Sequence, residues 1–281
     1  MQEAAPLSDV NVAKAQAASF PRKMTKGGAA YFEAGQGEDL LLIHGVGMRL
    51  EAWQPQIETF SRTHRVIAVD MPGHGSSERL PAGSTLVDFV GWFGRFLDDL
   101  AIVRANVAGH SMGALISGGA AATFGDRIKR VGYLNGVYRR DPTAKAAVLA
   151  RAAAIRTDGV DKEGPLLRWF GGDVTSQQAR ELTRGWLEMV DLEGYAVAYT
   201  AFAGGDETYA DRWPSVRCPA LFLTGSDDPN STPLMAEQMA AITPHGYARV
   251  VEGHRHMVNL TAPETVNALL AEWLSIEEEP Q

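Results

Sequence analysis

The sequence predicts an α/β fold in which a mostly parallel sheet is covered on both faces by helices. Short apolar runs recur at 40–43, 65–69, 106–108, 130–134, 220–223 and 248–251, and each has the length of a buried strand. Helix-like segments separate several of these runs, which is the alternation that parallel pairing requires. With 281 residues, 45% of them hydrophobic and 21% charged, the chain has the proportions of one globular domain or one domain with a large insertion.

After the second run, Leu86, Phe89, Val90, Phe93, Leu97 and Leu100 fall three or four apart, with Ser84 and Thr85 available as caps. This spacing predicts an amphipathic helix. The segment Met112 to Phe124, after the third run, is so rich in Gly and Ala that it is expected to be a helix lying very close to its neighbours. Alternation then stops between about Tyr138 and Trp213, where the chain is helix-like and rich in Ala and Arg, and it resumes at Ala220. Residues 138–213 are therefore expected to form an inserted helical cap, with the core split into 24–137 and 214–276. Loops at the C-terminal edge of such a sheet build a ligand crevice, and a cap inserted there covers it. Residues 1–23 and the acidic tail Glu277 to Gln281 are expected to be peripheral.

Composition narrows the function. With 26 Lys and Arg against 34 Asp and Glu, the net charge is −8, so neither nucleic acid nor a membrane surface is an expected partner. No apolar run approaches the roughly 18 to 20 residues that span a bilayer. Glu3 and Asp9 stand where a signal peptide would be basic and then apolar, so a cytoplasmic protein is expected. The single Cys218 excludes a disulfide framework and a Cys-rich zinc site, and packing explains it.

Gly109-His110-Ser111-Met112-Gly113 lies between a strand-like run and the Gly/Ala-rich helix. It matches the Gly-x-Ser-x-Gly elbow, whose turn forces the serine into strained backbone angles that only small neighbours tolerate. The Ser111 hydroxyl would then stand at a helix N-terminus, where developing negative charge is favoured. A serine needs a base to take its proton and a carboxylate to orient that base. Downstream, Gly225-Ser226-Asp227-Asp228 offers the acid, with Asp228 preferred and Asp227 the alternative. Glu252-Gly253-His254-Arg255-His256 offers the base, with His256 preferred and His254 the alternative. Asp141, after the fourth run, is a distant third candidate acid.

His44-Gly45-Val46-Gly47 follows the first run and can supply an oxyanion pocket from the Val46 and Met112 amides. His44 is expected to support that loop rather than act as a base, and His74 and His110 are expected to be structural. His64 and His245 read as solvated. No metal cluster appears, and the Gly-x-Gly-x-x-Gly fingerprint of a dinucleotide is missing, so no cofactor is expected.

Taken in order, His44-Gly45, Asp70-Met71-Pro72-Gly73-His74-Gly75, the Ser111 elbow, Gly225 to Asp228 and His256 to Glu264 resemble the α/β-hydrolase superfamily across about Met24 to Ser275. The resemblance implies an eight-stranded, mostly parallel sheet, a helical lid and a Ser111, Asp228, His256 triad. The cap resembles that of 3-oxoadipate enol-lactonases at Arg156, Gly159, Leu167-Arg168-Trp169-Phe170 and Gly194-Tyr195. That implies a pocket lined by His44, Gly45, His110, Trp169 and Tyr195, with Trp169 facing the substrate across from Ser111. Arg156 or Arg168 could hold a substrate carboxylate.

The expected function is a cofactor-free serine hydrolase cleaving a small ester or lactone through an acyl-enzyme. The alternative is hydrolysis of a C–C bond in a ring-cleavage product, or perhydrolysis, with the same triad. A ligand receptor is the remote third.

Overall fold

The computed structural model describes residues 20–171 and 176–277, so the segments expected to be peripheral lie almost wholly outside the described residues. Eight strands form one sheet: β1 (Lys23–Met24), β2 (Ala30–Ala34), β3 (Glu38–Ile43), β4 (His64–Val69), β5 (Ala105–His110), β6 (Ile128–Leu134), β7 (Ala220–Gly225) and β8 (Gly246–Val251). Their order is β1-β2-β4-β3-β5-β6-β7-β8. The two pairings at the β1 edge are antiparallel and all others parallel. Each of the six apolar runs lies within one of β3 to β8. β1 and β2 had no such run, because β1 is two exposed residues and β2 is only partly buried.

Side-chain alternation along the central strands divides the core. Leu41, Ile43, Val69 and Val107 point to one face, while Leu40, Leu42, Val66 and Ala108 point to the other. The second face is covered by α1 (Gln54–Phe60) and, at the C-terminus, by α9 (Val258–Thr261) and α10 (Pro263–Ser275). The first is covered by α2 (Leu86–Asp99) and α3 (Met112–Phe124). α2 begins on Thr85 in a capping box, the Thr85 amide donating to Asp88 Oδ2 at 2.7 Å. α3 is as close-packed as its composition requires, since a Cβ on Gly118 would lie 2.8 Å from the Trp213 ring and one on Gly119 would lie 2.7 Å from the Tyr209 ring.

Between β6 and β7 the chain forms α4 (Pro142–Asp158), α5 (Glu163–Phe170), α6 (Gln177–Glu188) and α7 (Leu192–Gly204), and α8 (Pro233–Ile242) follows β7. α4 and α7 pack along each other through Val148, Ala152 and Ala203. α7 then meets the loop after β4 backbone to backbone: a Cβ on Gly194 would lie 2.4 Å from Gly73 O, and one on Gly73 would lie 2.5 Å from Gly194 Cα. This contact fixes the height of the inserted helices above the sheet edge. Gly194→Ala must therefore push α7 away from Gly73, and a loss of about 1–3 kcal/mol in thermal or denaturant unfolding is expected. Unchanged stability would show that the helices are not seated there.

Candidate active site

β5 ends at His110, α3 begins at Met112, and Ser111 alone makes the turn, at φ 57° and ψ −115°. Such a conformation costs a non-glycine residue of order 1–3 kcal/mol and persists only where the surroundings enforce it. The enforcement is steric. A Cβ on Gly109 would lie 1.9 Å from Gly113 O, and one on Gly113 would lie 2.1 Å from Ile43 O. Gly45 presses on the same point, since its Cβ would be 3.0 Å from Ser111 Cβ. The Ser111 amide donates to Leu134 O at 2.9 Å, which ties the turn to β6. At the start of α3 the Ala114 amide bonds back to Ser111 O at 3.0 Å, while the Met112 amide makes no hydrogen bond among the described residues and stands at a helix N-terminus, where an anion is favoured.

Asp228 follows β7, and His256 lies in the loop between β8 and α9. His256 Nδ1 donates to Asp228 Oδ2 at 2.7 Å. Burial would push the Asp228 carboxyl upward, yet His256, Asn135 and the Asn230 amide outweigh it and hold the group below the usual carboxylate range. Of the alternatives, Asp227 is exposed and accepts from Ser226 Oγ, while His254 Nδ1 bonds Thr261 Oγ1 at 2.9 Å. Asp141 caps α4 through the amides of Thr143 and Ala144. His256 is gripped on both sides of its backbone: His110 Nε2 donates to its carbonyl at 2.7 Å, and its amide donates to Trp169 O at 3.2 Å. Among the described residues no hydrogen bond joins Ser111 Oγ directly to His256; in free hydrolases this contact is commonly long and tightens around the substrate.

The loop from Gly45 to Gly47 is held by two imidazoles. His44 Nδ1 donates to Gly45 O at 2.7 Å and its Nε2 accepts from the Met71 amide at 2.9 Å. His74 Nδ1 donates to Pro72 O at 3.1 Å and its Nε2 accepts from the Gly47 amide at 2.9 Å. Both rings are therefore neutral, and burial, aided by His74, pushes His44 down to about 3. Burial also pushes His110 down to about 3, with His256 adding to the effect. His44 and His110, expected to line the pocket, instead bond backbone, so they reach a substrate through the loops they hold. Beneath lies Asp70, with a fully buried side chain, which accepts from the Leu50 and Ser76 amides and pairs with Arg22 at 2.7 Å.

The resemblance placed Trp169 opposite Ser111; in the structure its contacts are with His256. Its ring stacks on His256, 5.7 Å between centroids and 27° between planes, because the carbonyl of the same residue binds the His256 amide. Tyr195 closes over Gly47, whose Cβ would be 3.0 Å from the Tyr195 ring. Arg156 pairs with Glu193 on the surface, whereas Arg168 is half-buried on α5. Three long-range contacts had no signal in the sequence: Asn135 donates to Asp228, Arg22 pairs with Asp70, and Arg151 Nε, on the inserted helices, donates to the Tyr199 hydroxyl at 3.2 Å. Each joins residues distant along the chain.

The chain belongs to the alpha/beta hydrolase family, whose model matches residues 40–269. It is 53% identical over 246 residues to (E)-2-((N-methylformamido)methylene)succinate hydrolase of Acinetobacter baylyi, a match spanning 88% of this chain and 94% of that protein. It is 28% identical to 3-oxoadipate enol-lactonase 2 of the same organism over 81% of this chain and 85% of that one. Among solved structures, the enol-lactonase of Burkholderia xenovorans LB400 superposes with a TM-score of 0.81 at 28% identity, covering 91% of this chain and 100% of that one. The expected ester or lactone substrate is corrected by the first of these relatives. The compound in its name is an open-chain, unsaturated dicarboxylate with a formamide and contains neither an ester nor a lactone ring. The finding agrees better with the alternative expectation, hydrolysis of a C–C bond in a ring-cleavage product with the same triad, than with the ester or lactone reading. Among the described residues no helix is long and apolar enough to cross a membrane.

The support beneath the oxyanion loop makes a pH-dependent prediction. Burial raises Asp70, but the hydrogen bond and charge of Arg22 and the Leu50 amide more than offset it, so its folded-state value is depressed. A depressed carboxylate stabilises the fold above its unfolded value of about 3.9 and loses that contribution as pH falls through the folded value. Asp70→Asn is thus expected to cost about 1–3 kcal/mol at neutral pH, and the deficit should shrink below about pH 4. A deficit of constant size across that range would contradict the ionic assignment.

Proposed function

We propose that this chain is a serine hydrolase of a small, open-chain, conjugated dicarboxylate that carries an N-acylated enamine, and that it cuts the acyl C–N bond through an acyl-enzyme on Ser111. The observation that carries the reading is the 53% identity, across nearly the whole of both chains, with a hydrolase named for such a compound.

An amide normally resists machinery suited to esters because its nitrogen lone pair feeds the carbonyl. In an N-formyl enamine conjugated to a carboxylate, that pair is drawn into the C=C–COO⁻ system. The formyl carbon becomes ester-like, and the nitrogen leaves as a delocalised enamine. Ser111 Oγ attacks the formyl carbon while His256 Nε2 takes its proton, with Asp228 holding the proton on Nδ1 and stabilising the imidazolium. The Val46 and Met112 amides receive the oxyanion. His256 then returns the proton to the departing enamine and activates the water that releases formate.

The inserted helices supply a reason for dicarboxylate preference. Among the described residues Arg151 and Arg168 are in no ion pair; Arg151 Nε donates to the hydroxyl of Tyr199, which stacks on Tyr195 at 5.7 Å, and Tyr195 covers the Gly47 end of the oxyanion loop, while Arg168 precedes Trp169, whose carbonyl binds His256. These cations, with the Tyr199 hydroxyl, are assigned to the substrate carboxylates. C–C hydrolysis of a ring-cleavage product would use the same triad and the same conjugated frame, and the products distinguish the two: formate in one case, a shortened carbon skeleton in the other.

Two measurements test the reading. Incubation with the N-formyl enamine dicarboxylate should release one formate per turnover, and Ser111→Ala should lower kcat by about 10⁶; a variant that keeps most of its activity would refute the mechanism. Arg151→Ala and Arg168→Ala should each raise KM by about tenfold to a hundredfold, the equivalent of one lost charge-assisted hydrogen bond. Unchanged KM in both would remove these arginines from the binding site.

A further inference from the structure

We propose that Asn135 is a positioning residue of the reaction, whose side-chain amide aligns the Asp228 carboxylate with His256 and governs how much of its negative charge the imidazole feels. The inference rests on the Ser111, His256, Asp228 reading above. Asn135 is fully buried and follows β6 directly, in the left-handed region at φ 48°. A glycine would take this conformation without cost, so it is the side chain that gives an asparagine something to contribute here.

That side chain faces three acceptors. Asn135 Nδ2 donates to Asp228 Oδ2 at 2.9 Å and lies 3.3 Å from both Thr224 Oγ1 and Arg255 O. Thr224 spends its own proton on Ser231 O, so all three neighbours require the nitrogen of the amide, not its oxygen. The Asp228 oxygen that receives Asn135 is the one that receives His256 Nδ1. The backbone completes the junction. The Asn135 amide donates to Leu223 O at 2.7 Å, in the strand that leads to Asp228, and the carbonyl of the preceding Leu134 accepts the Ser111 amide at 2.9 Å. One residue thus touches the strand of the acid, the backbone before the base and, through its neighbour, the nucleophile. Its Oδ1 is buried without a hydrogen-bond partner among the described residues, an unfavourable arrangement that packing alone would not call for.

A donor on Asp228 Oδ2 has two effects. It fixes the direction of the oxygen, and it disperses charge that would otherwise favour the imidazolium. Without it, more of the carboxylate's charge would favour the imidazolium, so less of the neutral imidazole would be present near neutral pH and it would be less well oriented. The other groups near the pair are unchanged by the substitution. His110 and His44, from the ends of β5 and β3, are neutral at working pH, and His254 and Arg255 belong to the same loop as His256.

The test is the rate at which a fluorophosphonate labels Ser111, followed against pH in the wild type, Asn135→Ala and Asn135→Gly, with thermal melts alongside. Asn135→Gly keeps the backbone turn and removes only the amide, so it remains informative if the alanine variant is unstable. Both folded variants should label about tenfold to a hundredfold more slowly near neutral pH, the rate equivalent of one hydrogen bond to a buried charge, and the acid limb of the profile should move to higher pH. A glycine variant that labels like the wild type, or one that is slower with the acid limb unmoved, would overturn the proposal. A wild-type chain that takes no label at Ser111 would instead be a failure of the triad reading itself.

Discussion

The site depends on a steric constraint: one residue must turn the chain from β5 into α3 with no room on any side. Ser111 stands at φ 57° because Gly109 and Gly113 let backbone approach within distances that a Cβ would forbid, and because Gly45 leaves only 3.0 Å to the Ser111 Cβ. A looser turn would be less strained, but it would let the serine side chain sink or swing. The strain of about 1–3 kcal/mol is tolerated because the β5–β6 ladder, the buried α3 and the loop after β3 all oppose its release. Strain of this kind keeps the hydroxyl where a carbonyl carbon can meet it, at the positive end of a helix.

Around that turn the protein places neutral imidazoles as connectors, and this is a consequence of burial. A charged ring in the positions of His44, His74 or His110 would have no solvent, so each is driven to the neutral form and fixes one tautomer through its hydrogen bonds. The single net negative charge at the centre, Asp228, is retained because three donors converge on it. The second buried carboxylate, Asp70, lies beneath the oxyanion loop with Arg22 as its counter-ion. Separate buried carboxylates thus anchor the two halves of the proposed site, Asp228 against His256 and Asp70 beneath the loop from Gly45 to Gly47. The inserted helices join the first half through Trp169, whose carbonyl and ring both engage His256.

Much of this was legible in the sequence, for reasons that are local. Six strands announced themselves because they are buried on both faces and so read as apolar runs, whereas β1 and β2 carry too little buried surface to do so. The elbow was legible because its sterics are settled within five residues. The choice between His254 and His256 was not, since they alternate two positions apart on one loop and only the packing of Trp169, His110 and Asp228 separates them. Asn135 reads as a turn residue before a glycine, because its partners lie at Leu223, Asp228 and Arg255, far along the chain. The substrate was the least legible part. The proposed triad would specify an acyl carbon and little more, and Arg151, to which substrate binding is assigned, reads as an ordinary surface cation until its bond to the Tyr199 hydroxyl is seen.

The proposed reaction depends on a covalent event at one serine. Acid-quenching the enzyme during turnover of the N-formyl enamine dicarboxylate and mapping the peptides by mass spectrometry addresses it directly. The expected result is a peptide spanning Gly109 to Gly113 whose mass is increased by one formyl group located on Ser111. Steady release of formate with that peptide unmodified at every time point, including in a variant slowed at the deacylation step, would mean that water attacks the substrate directly and that the account is wrong.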